Sequence, residues 1–152
     1  MNNNLLSLTR FYFAQSVFMT NCHYSAFERM NKLKNYQKNM IISISAITIV
    51  LLILQVIGLE ADSAVLIQMV SYVGLLMTGT SLIFSLINKE NLSDTMFSHK
   101  MFAEKYKSLR DDFMGLIEKI MSNSVNEHIL RSECDQLRDR YTSLGEYAPN
   151  TS

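Results

Sequence analysis

The chain has no Trp, a single Pro at position 149, five Gly and two Cys, and its Lys and Arg balance its Asp and Glu at 14 each. Each scarcity excludes something. Cys22 and Cys134 have no CxxC partner, so neither a disulfide nor a zinc site is expected, and both read as small apolar packing residues. The glycines form no GxGxxG, no phosphate loop and no Gly-x-Ser-x-Gly elbow, which leaves nucleotide hydrolysis and acyl transfer without a site. His23, His99 and His128 stand alone in the sequence, without the i, i+4 partner of a metalloprotease helix, so no metal and no cofactor are expected. The amino terminus lacks a basic start, a long apolar stretch and a small-residue cleavage pattern, and no removable signal peptide is read there.

Charge is absent from two long stretches: Met40 to Leu59 and Ala64 to Ile87 contain no Asp, Glu, Lys or Arg, and only residues 60–63 separate them. A helix rises about 1.5 Å per residue, so a hydrocarbon core of about 30 Å needs roughly 20 apolar residues. Both stretches qualify. The expected architecture is an all-α membrane protein with a two-transmembrane hairpin at 40–87, a long helix at 1–39 and a helical region at 88–152. The mean hydropathy of only +0.07 averages that apolar middle with charged flanks. With about 40 residues in lipid, too little chain is left for an ordinary catalytic domain, typically about 100 to 150 residues. No enzyme activity is expected.

The spans carry polar residues in one stripe each. At 100° per residue Ser45, Thr48 and Gln55 share one face of the first, and Gln68, Ser71, Thr78 and Ser85 share one face of the second. In lipid such a stripe either bonds to another helix or lines a wet cavity. Gly74-x-x-x-Thr78 and Ser81-x-x-x-Ser85 favour packing, whereas Gln55 and Gln68 are the more suggestive of a pore. A lone hairpin cannot enclose a pore, so conduction would require several copies around an axis.

Outside the spans, the sequence from about Ser7 to Gln37 predicts a long helix whose apolar residues include Phe13, Val17, Tyr24, Phe27, Met30 and Leu33. Phe11, Tyr12 and Phe13 cannot share one face, which predicts cover from more than one neighbour. Beyond the second span, Phe102, Tyr106, Leu109, Phe113, Leu116 and Ile120 recur in steps of four and three, the rule of an apolar heptad seam. A break is expected at Ser122 to Ser124, with a Ser124/Glu127 capping box opening a last helix through Leu130, Cys134, Leu137 and Tyr141 to about Leu144, stopped by Gly145 and Pro149. The seam serves a bundle with the first helix, contacts between copies in a homo-oligomer, or both. Asp111, Asp112, Glu133, Asp135 and Asp139 lie among Lys and Arg as a solvated face.

Basic residues flank both spans (Arg29, Lys32, Lys34 and Lys38 before, Lys89, Lys100, Lys105 and Lys107 after), and the turn between them holds Glu60 and Asp62, so both termini are expected in the cytoplasm. Beside a bilayer the early lysines read as topology determinants drawn to anionic headgroups, and nucleic acid binding has no support. The layout resembles a known family. A pre-membrane helix with Phe13-Ala14, Tyr24, Phe27, Lys32 and Lys34, a first span with Ile42-Ser43-Ile44-Ser45, a tiny turn, a second span ending near Asn88 and a helical tail through Tyr106 and Leu109 to Pro149 is similar to the SLATT family, the SMODS- and SLOG-associating two-transmembrane effectors. That resemblance implies a membrane effector of a prokaryotic conflict system in the inner membrane, forming pores when a partner protein senses infection or makes a nucleotide signal. The alternative is a non-conducting anchor that recruits a partner through its heptad helices.

Overall fold

Before Pro149 no residue lacks a backbone donor, so nothing in the long middle of the chain forces a helix to stop. The computed structural model describes residues 3–60, 64–88, 91–123 and 125–151. Within them the chain is all-α: α1 Asn3–Glu60, α2 Ala64–Asn88, α3 Asn91–Ser122 and α4 Glu127–Tyr147. The chain divides into two compact units, one of residues 1–29 with 94–152 and one of residues 30–93. The expected segments 1–39 and 88–152 are thus largely two parts of one bundle, and about ten residues before the first span belong with the hairpin.

In the first unit the start of α1 packs with α3 and α4. Phe102, Tyr106, Leu109, Phe113, Leu116 and Ile120 are all buried, as are Leu130, Cys134 and Leu137 of α4 and Leu5 and Leu6 of α1. Alternating steps of four and three keep such residues on one helix face, and burial of that face, rather than helix propensity, holds elements of this length in place. Ion pairs bridge α3 to α4 at Lys119–Glu133 (2.6 Å) and Asp112–Arg140 (2.9 Å). They lie at the solvent edge, where such a pair contributes about 0 to 1 kcal/mol.

The buried face of α1 differs from the expected one. Its most enclosed residues are Thr9, Ser16, Thr20, His23 and Ala26, while Leu33 is exposed and Phe13, Val17, Tyr24, Phe27 and Met30 are half-buried. Small hydroxyl residues can sit there because each returns its proton to its own helix: Thr9 to Leu5 O (2.8 Å), Ser16 to Tyr12 O (2.8 Å) and Thr20 to Ser16 O (2.7 Å). Satisfied in this way, they can be enclosed without the penalty of an unmade bond. Of the aromatic triplet, Tyr12 stacks on Phe113 with centroids 5.8 Å apart and meets Tyr141 edge-on, and Phe13 packs on the core. Phe11 does not follow; it is 55% exposed.

The α3–α4 break and the last helix end also shift. Asn123 turns the chain at φ 52°, a left-handed conformation that Asn tolerates better than most residues. Ser124, the expected cap, lies outside the described residues. Asn126 caps α4 instead, its side-chain oxygen accepting from the His128 amide at 3.0 Å, which puts Glu127 at the first helical position rather than the third. At the other end Gly145 stays helical and α4 runs on to Tyr147. Ala148 is extended (φ −69°, ψ 134°) because the ring of Pro149 disfavours helix in the residue before it.

The second unit holds the hairpin. Among the described residues α1 carries the one stretch long and apolar enough to cross a membrane, and none of its most apolar window is buried within the chain. In α2, a 25-residue helix, the described apolar stretch is the shorter Ile67–Ile83. Ile49, Ile53, Val56, Leu75, Leu76 and Leu82 are all more than half exposed, an apolar surface that water would not tolerate.

Candidate functional site

Within the hairpin, the two polar stripes meet only in part. Thr48 and Gln55 of α1 and Ser71, Gly74 and Thr78 of α2 line one cleft of about 330 Å³, with Leu51, Leu52, Val70 and Leu75 as its apolar walls. Gln55 Nε2 donates to Ser71 Oγ at 2.9 Å, and Ser71 Oγ donates in turn to Ile67 O at 2.8 Å. Thr48 and Thr78 bond back to Ile44 O (2.9 Å) and Gly74 O (2.7 Å). A polar side chain in hydrocarbon must find a partner. These four have found theirs inside the hairpin. Ser45 and Gln68 lie outside the cleft on exposed positions, and Ser85 sits elsewhere, in a groove with Lys34 and Lys38. The seven stripe residues therefore fall in three places.

A second polar feature was hidden in the sequence. His23 and His99, far apart along the chain, are both fully buried, with their Nδ1 atoms 3.0 Å apart. His23 also stacks on Tyr106 (centroids 5.6 Å) and Phe102 (5.9 Å). At that distance one ring must present N–H and the other a lone pair, so the pair can carry at most one excess proton. Among the described residues neither Nε2 atom has a hydrogen-bond partner. Burial first, and then His99, holds the His23 imidazole below its usual range; burial first, and then the Arg29 charge, does the same for His99. Tyr106, beside them, is pushed up to about 12, chiefly by burial and then by Tyr141, and its hydroxyl is likewise unpartnered. Isolation in sequence is thus not isolation in space. What the sequence does contain is a polar, close-packing register on α1 (Ser16, Thr20, His23) opposite the start of the α3 seam, and no rule of spacing joins it to His99. His128 is exposed on α4.

Among the described residues no group of three or more His, Cys, Asp and Glu side chains converges. Two nitrogens fall short of the three or four protein ligands that zinc takes. The six seam residues Phe102, Tyr106, Leu109, Phe113, Leu116 and Ile120 sit in the interior of the bundle rather than on its surface.

Comparison with known families gives a match: the model of SMODS and SLOG-associating 2TM effector domain family 4 matches residues 5–152. The chain belongs to this family. The match starts at Leu5, the first core residue, and takes in the bundle and both arms of the hairpin, so the SLATT fold is the whole arrangement described above. The two membrane helices of its description correspond to the second part of α1 and to α2. No curated protein and no solved structure matches the chain.

Proposed function

We propose that this SLATT protein is a pore-forming effector of a prokaryotic antiviral, abortive-infection system. In this reading it oligomerises in the inner membrane with both termini in the cytoplasm and acts without enzymatic chemistry, triggered by a sensor or by a nucleotide-generating partner. The observation that carries the reading is the hairpin surface. Its apolar residues are exposed, and Ser45 and Gln68 lie outside the internal cleft, where a neighbouring hairpin can meet them. Several copies around an axis would bring these neutral polar groups to a common centre, able to pass ions with little selectivity. Release of a dye or of ions from liposomes bearing the purified, triggered protein is the test.

One observation favours a second reading, a non-conducting anchor. The Gln55–Ser71 bond joins the two arms of the hairpin and the hydroxyls of Thr48 and Thr78 bond back to their own helices, so these residues can serve simply to hold the arms together. Intact liposomes after triggering would favour the anchor and reject the pore.

A further inference from the structure

Just before its apolar stretch, α1 carries a face of different character. Asn31, Lys34, Asn35 and Lys38 follow one another at helical spacing and run directly into Ile41 and Ile42, the start of the apolar stretch. Together with Leu92, Ser93 and Ser85 they line a groove of about 680 Å³ within the hairpin unit, a size suited to a small-molecule ligand. Lys34 and Lys38 are exposed and make no ion pair among the described residues. The α1 side of the lining therefore passes along the helix from two ammoniums and two carboxamides, on Asn31, Lys34, Asn35 and Lys38, to the aliphatic side chains of Ile41 and Ile42.

We infer that this groove binds one anionic glycerophospholipid, with the phosphate held by Lys34 and Lys38, the headgroup hydroxyls by Asn31 and Asn35, and the first part of an acyl chain lying along Ile41, Ile42 and Leu92. Charge complementarity selects the anion. A lipid is favoured over a soluble phosphate because the cationic end opens onto the apolar one at the level where the chain enters the hydrocarbon: Lys38 stands two residues before Met40. Basic groups at that depth attract anionic headgroups, each Lys by a factor of about five. The inference rests on the hairpin being embedded in a bilayer and is independent of whether it conducts.

The full chain, extracted in mild detergent and offered equal phosphatidylglycerol and phosphatidylcholine, should retain the anionic lipid with about 25-fold preference by native mass spectrometry, as expected for two lysines. K34Q/K38Q should bring the ratio close to one, while K107Q/R131Q, on the bundle, should leave it unchanged. Should the double variant fail to fold, N35D, almost isosteric, should also lower the preference by placing a negative charge beside the phosphate. Unchanged preference in both groove variants would overturn the inference. So would displacement of the lipid by millimolar inorganic phosphate, which would make the site a free-anion site. Failure of the protein to float with phosphatidylcholine vesicles would reject the membrane placement itself, whereas flotation without anionic preference would reject only the groove.

Discussion

His23 and His99, buried against each other with their Nδ1 atoms 3.0 Å apart, make a pair that acid can only damage. Burial lowers the pKa of both His23 and His99, so the unfolded chain, with imidazoles near 6.5, takes up protons before the folded one does. The stabilisation from keeping them neutral is therefore fully present above about pH 6.5 and lost as pH falls from there. Thermal melts should show a lower transition at pH 5.5 than at pH 7.5. H23Q/H99Q, whatever its absolute stability, should show a flatter dependence over that interval, and an equal slope in both proteins would assign the effect to other groups. A simpler residue-scale effect is available at Gly115, half-buried in the interior of α3, where an added Cβ meets no atom within 4 Å. G115A should stabilise the bundle by about 0.5 to 1 kcal/mol, since the helix gains propensity and the unfolded chain loses freedom. Chemical denaturation would register it as a higher midpoint.

At the level of elements, α3 supplies more buried residues than any other helix among the described residues, with Leu109 and Phe113 wholly enclosed. Truncating Leu109 to Ala should destabilise by about 2 to 5 kcal/mol, and Leu109→Asp with Phe113→Asp should abolish the cooperative melt, because an unpaired charge would be left in the core. The same two changes at Lys107 and Arg110 should do little, as both already hold surface ion pairs. Equal effects at the two sites, followed by circular dichroism, would remove the distinction between face and flank. The α3 seam could be read in the sequence because it is apolar and strictly periodic. The facing stripe of α1 could not, because Thr9, Ser16 and Thr20 disguise a buried register as a polar one, each satisfied by a carbonyl one turn back. Likewise the polar stripes of the spans were legible as stripes. Whether Gln55 looked inward or outward depended on the height of Ser71 on the other arm, which hydropathy does not encode. The histidine pair was illegible for a plainer reason: its partners are 76 positions apart.

For the molecule as a whole the decisive measurements are topology and leakage. Reporters at either terminus should be active in the cytoplasm, and a cysteine placed at Ser63, which lies outside the described residues, should react with an impermeant reagent from the outer side. Reaction only after permeabilisation would invert the proposed orientation. In the pore reading Q68L should narrow a wet surface and cut leakage while oligomer size is kept, whereas Q55L, by losing its bond to Ser71, should lower stability by about 0.6 to 2 kcal/mol before it changes conduction. Normal assembly with unchanged leakage in both variants would detach conduction from these residues. The composition of the bundle has a further consequence in time. Its first 29 residues pair with a part of the chain that begins at Asp94, so roughly 60 residues must be translated in between, which takes about 3 to 12 s at 5 to 20 residues per second. During that interval the hairpin segment leaves the ribosome while the start of α1 still lacks α3 and α4. Membrane insertion can therefore run ahead of bundle closure, and α4, which is made after α3 and brings Leu130, Cys134 and Leu137, completes the bundle.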